Sequence, residues 1–429
     1  MTWYAAVPFA VLALMFVLRM PVAFALLVSS LSYFIVSGEP LSIAVNTLVN
    51  GMFSNYLILA APLFIFTANV MNSGQITEKV FGFANGLLGS LRGGSGHVNV
   101  FASLVFSGMT GSAIADASGL GLMEIEQMRK EGYDDGFSCA ITAASATIGP
   151  IFPPSIPFVI YAMLSGASIS ALFMGGMVPG VLLAILLMLY NAWISKKRNY
   201  PRGPQFTRRE FLSYTISSIP ALLTPVILLG GIYGGAITPT EAGAIAALYS
   251  IIISVLVYRS MSPRALWKIL RDTAQMTASL GIMIGCAILF AQVVALEQIP
   301  EHAAQFILNY SHSPAVFLMV VNVLFLVLGM ITDVSVIQLV FVPMVIPLVR
   351  ELGIDLVHFG VVITFNMMIG LSTPPFGMLL FVVSGISKTP IGAVIKELWP
   401  MILVMLALLL LLTYVPSVVM FLPRFFLGA

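Results

Sequence analysis

The chain has 429 residues, of which 59% are hydrophobic and 8% are charged, and its formal net charge is +2. Soluble domains carry roughly a quarter charged residues, so this composition excludes an ordinary soluble enzyme or nucleic-acid-binding domain. Apolar runs recur from end to end, and about 20 such residues span a bilayer. The sequence therefore predicts an all-α polytopic membrane protein surrounded by lipid.

Ten apolar segments are predicted to cross the membrane as helices. The first is expected to be a retained span rather than a signal peptide, because the opening Met-Thr-Trp-Tyr has no basic residue. In chain order, the predicted crossings are 3–18, 20–36, 56–72, 137–165, 169–194, 211–232, 238–258, 275–296, 357–386 and 397–422.

Two further stretches, 97–125 and 314–348, are predicted to be re-entrant helical hairpins. Each is too long for a loop, too interrupted for one helix and too apolar for water, which leaves a hairpin that enters the membrane and returns. The segments just before them, 76–91 and 300–312, mix charged and apolar residues. Such segments are predicted to be helices that lie in the membrane interface.

The basic residues test this arrangement, because short loops rich in Lys and Arg stay in the cytoplasm. The predicted crossings place 17 of the 19 Lys and Arg residues on one face and leave only Arg350 and Arg424 on the other. The basic face is therefore predicted to be cytoplasmic, with both termini outside. The same sidedness makes the first hairpin open from the cytoplasm and the second from outside.

Three sequence landmarks recur in the same order in both halves of the chain. Each puts an ionisable group or helix-breaking residues into an apolar context, as in transporters built from broken helices. With the opposite sidedness, they predict inverted repeats at 1–194 and 211–429, joined by a basic linker at 195–210. The landmark pairs are Ile114–Ser118 with Ile331–Ser335, Gly149–Pro154 with Gly370–Pro375, and Ser165–Ser168 with Ser384–Ser387, at offsets of 217, 221 and 219 residues.

Asp116 and Asp333 are the main acidic residues within the apolar sequence of the hairpins. A carboxylate in this setting is costly and indicates a functional site; a carboxylate that merely caps the hairpin turn is the alternative. Nearby hydroxyls, together with carboxylates and carbonyls, are hard ligands that suit Na⁺. These hydroxyl residues are Ser103, Ser107, Thr110 and Ser112 in the first hairpin and Thr332 and Ser335 in the second.

Glycine and proline interrupt the crossings at 137–165 and 357–386. Proline lacks an amide hydrogen and its ring clashes with the preceding turn, so both helices are predicted to unwind. Unwinding exposes carbonyls to a cation and a half-helix N-terminus to an anion; a simple packing kink is the alternative. The residues concerned are Gly149, Pro150, Pro153, Pro154 and Ser155 in the first break, and Gly370, Ser372, Thr373, Pro374 and Pro375 in the second.

Two other features are predicted to be structural. The segment Thr238–Glu241 has Thr, Pro and Glu at the positions of a helix-capping box, so Glu241 is interpreted as a cap. Cys139 and Cys286 lie in or beside apolar segments, so they are predicted to be small packing residues rather than a disulfide pair.

The motifs resemble those of one known family, over nearly the whole chain. The matching segments are Ser107–Ser112 followed by Asp116, Gly149–Ser155, Thr238–Glu241 and Ser372–Pro375. They are similar to the large membrane subunit of tripartite ATP-independent periplasmic (TRAP) transporters, nearest the sialic acid branch. This resemblance implies an elevator-type, Na⁺-coupled importer of organic acids in the bacterial inner membrane, with both termini periplasmic.

The resemblance also implies partners and ligands. A small four-helix membrane subunit, expected as a separate chain because this one begins with the large subunit's first span, and a periplasmic substrate-binding protein would complete the transporter. Two or more Na⁺ sites are implied, one at Ser103, Ser107, Gly108, Gly149, Pro150 and Pro153, the other at Gly329, Thr332, Asp333, Gly370 and Thr373. The substrate, sialic acid first and a C4-dicarboxylate second, would lie near Thr110, Ser112, Asp116, Pro154, Ser155, Ser335, Ser372, Pro374 and Pro375.

Three other interpretations stay open at this point. A self-sufficient Na⁺/dicarboxylate symporter of related inverted-hairpin architecture would need neither partner. An intramembrane aspartyl protease is suggested by the two acidic residues, but its Gly-x-Gly-Asp string is absent from the sequence. A channel would need a continuous pore, whereas two hairpins that enter from opposite faces favour alternating access.

Overall fold

The computed structural model describes residues 3–53, 59–73, 76–203, 206–299 and 313–428, and over these ranges the chain is built from α-helices without a β-strand. Seven of the helices described are at least 18 residues long and apolar enough to cross a membrane. The chain is therefore a multi-pass membrane protein, as its composition predicts. The predicted interfacial segment at 300–312 lies outside the described residues, whereas its counterpart at 76–91 is a helix, Ile76–Leu88.

The first half contains eleven α-helices within the described ranges. They are α1 (Ala6–Val17), α2 (Val22–Ser37), α3 (Leu41–Phe53), α4 (Ala60–Ser73), α5 (Ile76–Leu88), α6 (Gly94–Thr110), α7 (Ala113–Gly119), α8 (Gly121–Lys130), α9 (Asp135–Ala146), α10 (Ile156–Ser165) and α11 (Ile169–Lys197). The first hairpin is formed by α6 and the pair α7 and α8. The first broken helix is formed by α9 and α10.

The second half, as far as it is described, contains nine α-helices. They are α12 (Arg208–Tyr233), α13 (Pro239–Ile252), α14 (Pro263–Leu296), α15 (Pro314–Ile331), α16 (Val334–Glu351), α17 (Leu356–Ser372), α18 (Met378–Ser387), α19 (Ile391–Tyr414) and α20 (Pro416–Leu427). The second hairpin is formed by α15 and α16, and the second broken helix by α17 and α18. Both predicted hairpins and both predicted helix breaks are confirmed.

Several helix boundaries differ from the predicted ones. The helix α3 was not predicted, because it has only 13 residues and Asn46 and Asn50 interrupt its apolar run. The helix α14 begins at Pro263 instead of residue 275, because a cap at Ser262 starts it within a charged stretch that hydropathy excludes. The predicted crossing at 397–422 is two helices, since the backbone of Val415 leaves the helical region before Pro416.

The capping box at Thr238 is confirmed. The Thr238 hydroxyl accepts a hydrogen bond from the Glu241 N–H at 3.3 Å, and the Glu241 carboxylate accepts one from the Thr238 N–H at 2.7 Å. Each group satisfies an N–H that the first turn of α13 leaves free. Glu241 is thus engaged in starting this helix. Both cysteines, Cys139 and Cys286, are buried and free, as predicted.

The two hairpins and the two breaks repeat at a constant spacing of 221 residues. Gly132 and Gly353 both adopt positive φ after a hairpin, and Asp134 and Asp355 precede the two broken helices. A cis peptide bond joins the two prolines of each break, Pro153-Pro154 and Pro374-Pro375. At this spacing, the residue that corresponds to Asp333 is Ser112. Each of them is the N-cap of the second arm of its hairpin.

This spacing corrects two of the three predicted landmark pairs. The pairing of Asp116 with Asp333 at an offset of 217 is wrong, because Asp116 lies one turn inside α7 and not at its cap. The offset of 219 is also wrong, because α10 ends at Ser165 and α18 ends at Ser387, which are 222 residues apart. The pair of Gly-Pro breaks at 221 is confirmed.

The hairpins and broken helices of the two halves pack against each other. The helix α7 of the first hairpin packs on α18, and α16 of the second hairpin packs on α10. One large apolar core runs through these elements. Outside it, α2 and α3 pack on α14, α5 packs on α12, and α4 packs on α13. This arrangement brings the turns of both hairpins to the interior of the molecule.

The segment after α11 is held against the transmembrane helices by polar contacts. Arg198 forms ion pairs with Asp134 at 2.9 Å and with Glu397 at 2.8 Å. Tyr200 donates a hydrogen bond to Asp134 at 2.7 Å. Burial, followed by this hydrogen bond, raises the pKa of Tyr200 to about 12, so its hydroxyl remains a donor at neutral pH.

Candidate functional site

A cavity of about 550 Å³ lies between the turns of the two hairpins. Its size falls within the range of small-molecule sites. Both hairpin turns, the first break, α14 and α17 contribute to its wall. The described residues that line it are Ile65, Gly111, Ser112, Ala113, Ile114, Ala115, Pro150, Ile156, Pro157, Gln275, Met276, Ser279, Leu280, Asp333, Val334, Ser335, Met368 and Leu371.

The turn of the first hairpin is made by Gly111 and Ser112. Gly111 has φ of +61° and ends α6, which is a backbone conformation that suits glycine. A side chain there would also meet the carbonyl of Pro154 in the first break. Ser112 then caps α7 by accepting a hydrogen bond from the Ala115 N–H at 3.4 Å. The turn therefore lies directly against the first break.

The turn of the second hairpin is made by Thr332 and Asp333. Thr332 is extended and ends α15. One carboxylate oxygen of Asp333 accepts a hydrogen bond from the Ser335 N–H at 2.9 Å and so caps α16. The capping role considered for this acid from its sequence is thus present. Asp333 also lines the cavity, where its charge is available to a ligand.

In the first break, the backbone between Ala146 and Ile156 leaves the helix. Ser155 caps α10 by accepting a hydrogen bond from the Phe158 N–H at 3.2 Å, and its hydroxyl donates to the Pro150 carbonyl at 2.5 Å. Gly149 packs on the first hairpin turn, since a Cβ added there would lie 3.2 Å from the carbonyl carbon of Ser112. The predicted break and its contact with the hairpin are therefore both observed.

The second break follows the same plan. The hydroxyls of Ser372 and Thr373 donate to the Ile369 carbonyl at 2.9 Å and 2.6 Å. Gly370 packs on Gly329 of the second hairpin, and a Cβ added at Gly370 would lie 2.7 Å from the Gly329 Cα. Only glycine at both positions allows backbones to approach this closely.

The residues predicted for the first cation site lie together. The Ser107 hydroxyl donates to the Ser103 carbonyl at 2.5 Å, and the Ser103 hydroxyl donates to Ser145 at 3.2 Å. Both hydroxyls are buried. Since each gives its hydrogen to another acceptor, its oxygen keeps lone pairs for a cation. Neutral oxygens of this kind, with the carbonyls of the adjacent break, form a donor set that fits Na⁺.

Asp116 lies behind the hairpin turn instead of in the cavity wall. Its side chain is 2% exposed, and neither carboxylate oxygen has a hydrogen-bond partner within the described part of the chain. The Ser103 hydroxyl is the neighbour that acts on this carboxyl. Asp116 is thus close to the first predicted cation site. A buried acid without a partner is costly, and a bound cation would offset that cost.

The predicted substrate residues fall into two groups. Ser112 and Ser335 line the cavity, as do Pro150 and Asp333 from the predicted cation sites. The other predicted substrate residues are absent from the lining as far as the structure describes it. They are Thr110, Asp116, Pro154, Ser155, Ser372, Pro374 and Pro375. Several of these support the cavity from behind through the hydrogen bonds of the hairpins and breaks.

The sequence analysis missed the wall that α14 contributes. Gln275 and Ser279 lie on this helix four residues apart, so they share one face, and both line the cavity. The signal was available in principle, as a polar i, i+4 pair inside an apolar helix. No lysine or arginine occurs among the lining residues described above, so the cavity wall offers a carboxylate ligand no basic side chain.

Comparisons with known proteins agree with this geometry. The family model described as "Tripartite ATP-independent periplasmic transporter, DctM component" matches residues 9–418. The sialic acid TRAP transporter large permease protein SiaM of Vibrio cholerae is 41% identical over 410 residues, covering 95% of this chain and 96% of SiaM. The C4-dicarboxylate TRAP transporter large permease protein DctM of Pseudomonas aeruginosa is 38% identical, covering 86% and 87%.

Two further comparisons concern a longer relative and a solved structure. The sialic acid TRAP transporter permease protein SiaT of Haemophilus influenzae is 41% identical over 96% of this chain, which spans 67% of SiaT. The crystal structure of the YdaH transporter of Alcanivorax borkumensis matches with a TM-score of 0.67 at 16% identity, covering 87% of this chain and 88% of YdaH. At that identity, the structural match supports the fold alone.

Proposed function

The chain belongs to the DctM family of tripartite ATP-independent periplasmic transporters, and we propose from that premise that this large permease imports an organic acid together with Na⁺. It is a transport protein and not an enzyme. The observation that carries the proposal is the cavity of about 550 Å³ that both hairpin turns line. A site at the meeting point of two hairpins and two helix breaks is the arrangement expected for alternating access.

Na⁺ coupling is supported by the donors around the cavity. The hydroxyls of Ser103 and Ser107 and the carboxylate of Asp333 are held by the hairpins, and each hairpin packs on a helix break that has free carbonyls. Bound Na⁺ would supply the positive charge that the cavity wall lacks. The residues that would hold it are those of the two predicted sites, with Ser103, Ser107 and the first break in one and Asp333 and the second break in the other.

The substrate we propose is sialic acid first and a C4-dicarboxylate second. SiaM and SiaT, which are named for sialic acid, are both 41% identical to this chain, and the dicarboxylate relative is 38% identical. The wall of the cavity suits an acid that also bears hydroxyl groups, because Ser112, Gln275 and Ser279 present uncharged donors and acceptors.

The transport movement we propose is of the elevator type in the bacterial inner membrane. The hairpins and broken helices share one core and would move as a unit. The helices α2 and α3 on α14, α5 on α12, and α4 on α13 form packing pairs outside that core and would form the scaffold. A small four-helix membrane subunit as a separate chain and a periplasmic binding protein would complete the assembly, with both termini periplasmic.

Reconstitution tests this proposal. The purified chain is placed in proteoliposomes with the small subunit, and labelled sialic acid or a labelled C4-dicarboxylate is supplied on a binding protein. We expect uptake only with an inward Na⁺ gradient and all three components. Equal uptake with a K⁺ gradient would contradict Na⁺ coupling. Uptake of free dicarboxylate by the chain alone would instead favour a self-sufficient symporter.

A further inference from the structure

A chain of hydrogen bonds runs through the first hairpin, away from the cavity. The Ser103 hydroxyl donates to the Ser145 hydroxyl at 3.2 Å, and Ser145 donates to the Asn99 amide oxygen at 2.8 Å. The Asn99 amide nitrogen then donates to the Glu124 carboxylate at 2.5 Å. All four side chains are at most 2% exposed. The chain joins α6, α9 and α8.

The direction of this chain is set at its far end. An ionised carboxylate can only accept hydrogen bonds, so Glu124 draws the amide nitrogen of Asn99 toward itself. Thr142 has the same effect, because its hydroxyl donates to the Ser138 carbonyl at 2.8 Å and accepts from Asn99 at 2.8 Å. The amide oxygen of Asn99 is thereby turned toward Ser145.

Ser145 passes this direction on to Ser103. The Ser145 hydroxyl has two acceptors within reach, the Asn99 amide oxygen at 2.8 Å and the Thr142 carbonyl at 3.1 Å. Its single hydrogen points to one of them, so its oxygen accepts the hydrogen of Ser103. The lone pairs of the Ser103 oxygen are left for the proposed cation site. A hydroxyl that ligates a cation needs this orientation.

We propose that Glu124, Asn99 and Ser145 are positioning residues for the first cation site, which hold the Ser103 hydroxyl with its lone pairs toward the cation. The inference rests on the proposed Na⁺ coupling. It follows the general behaviour of ion sites, where groups outside the ligand shell orient the ligands, and their loss weakens metal affinity by about 10- to 100-fold. None of the three residues lines the cavity as described, so their effect on substrate contacts is indirect.

The test measures Na⁺ binding without transport. The purified full chain is heated at increasing Na⁺ concentration, with choline chloride added to keep the ionic strength constant, because a ligand that binds the folded state raises the melting temperature. The variants are Ser145→Ala, which removes the acceptor of Ser103, and Glu124→Gln, which removes the charge that sets the direction. We expect the Na⁺ concentration for half-maximal stabilisation to rise about tenfold or more in both.

Two matched controls lie on the same helices. Ser138→Ala removes a buried hydroxyl of α9 that donates to the Asp134 carbonyl at 3.0 Å, and Glu126→Gln neutralises an exposed acid of α8. Both should keep the wild-type Na⁺ response. If Glu124→Gln does not fold, Ser145→Ala decides by the same measurement.

The outcomes separate this inference from the proposed function. Unchanged Na⁺ half-saturation in Ser145→Ala and Glu124→Gln, or equal shifts in the controls, would overturn the positioning role. A wild-type chain that Na⁺ does not stabilise would overturn the cation site itself. A shift in the two variants alone would support the inference.

Discussion

Ser112 and Asp333 are equivalent residues 221 positions apart, and both line the same cavity. Each is the N-cap of the second arm of its hairpin, and each accepts a hydrogen bond from a backbone N–H of that arm. The backbone solution is shared, but one cap is neutral and the other is a carboxylate. The cavity is therefore structurally symmetric at its two turns and electrostatically asymmetric, with the negative charge on the second hairpin.

This asymmetry allows the capping role of Asp333 to be separated from its charge. Asp333→Ser places the residue of the first hairpin in the second, which keeps a cap and removes the charge. We expect the folded stability to stay near wild type and the Na⁺ half-saturation of uptake to rise at least tenfold. Asp333→Ala should show the same Na⁺ defect and lose about 1 kcal/mol of stability in addition, because the cap is lost. Thermal unfolding and Na⁺-dependent uptake measure the two effects, and unchanged Na⁺ kinetics in Asp333→Ser would remove this residue from the cation site.

The contact between Gly329 and Gly370 predicts that neither position tolerates a side chain. Gly370→Ala would force the second break away from the second hairpin, because its Cβ would lie 2.7 Å from backbone atoms. We expect a loss of about 1–3 kcal/mol and strongly reduced uptake. Gly385→Ala is the control, since nothing lies within 4 Å of a Cβ there. Wild-type uptake in Gly370→Ala would show that this close approach is not needed.

The wall formed by α14 predicts an effect on the substrate and not on Na⁺. Gln275→Ala and Ser279→Ala remove uncharged hydrogen-bonding groups from the cavity. Each should raise KM for the substrate severalfold, on the order of 1 kcal/mol for one lost hydrogen bond, while the melting temperature stays unchanged. Thr277→Val is the control on the same helix, because the Thr277 hydroxyl donates to the Thr273 carbonyl. An unchanged KM in both variants would place the substrate elsewhere.

Two equivalent arginines predict a stability effect that crosses between the halves. Arg129, near the end of the first hairpin, donates to the Ser387 carbonyl at 2.9 Å and to Thr389 at 2.7 Å. Arg350, near the end of the second, donates to the Ser165 carbonyl at 2.7 Å. Each arginine thus satisfies the last turn of the other half's broken helix.

Replacing either arginine by alanine should destabilise the chain by about 1 kcal/mol, because a cation and a donor are lost at a helix C-terminus. Lysine should restore only part of this, since it cannot make two bonds in a fixed fork. Thermal unfolding measures the effect, with the exposed Lys130→Ala as the control. Equal melting temperatures for Arg350→Ala and Lys130→Ala would rule out the capping role.

The elements of the fold were largely predictable from local sequence. Gly149-Pro150 and Pro374-Pro375 cannot continue a helix whatever surrounds them, so both breaks followed from the sequence. The capping box at Thr238 was equally local. Boundaries were less accurate where a helix continues through polar residues, as in α14, because hydropathy measures the preference for lipid and not the ability to form a helix.

The register between the halves was only partly predictable. The mistaken pairing of Asp116 with Asp333 differs from the correct pairing with Ser112 by four residues, which is about one helical turn. Such a shift keeps a residue on the same helix face, so a matching string of letters does not reveal it. Only the position of the caps distinguishes the two alignments.

The sequence by itself determined that this chain is a helical membrane protein with two hairpins, two broken helices and the motifs of its family, because hydropathy and proline act over a few residues. The tertiary structure alone decided what those elements form together. It placed Ser112 opposite Asp333, brought Gln275 of α14 into the cavity wall and linked Ser103 to Glu124. These contacts join residues far apart in the chain, and packing between helices sets their distances.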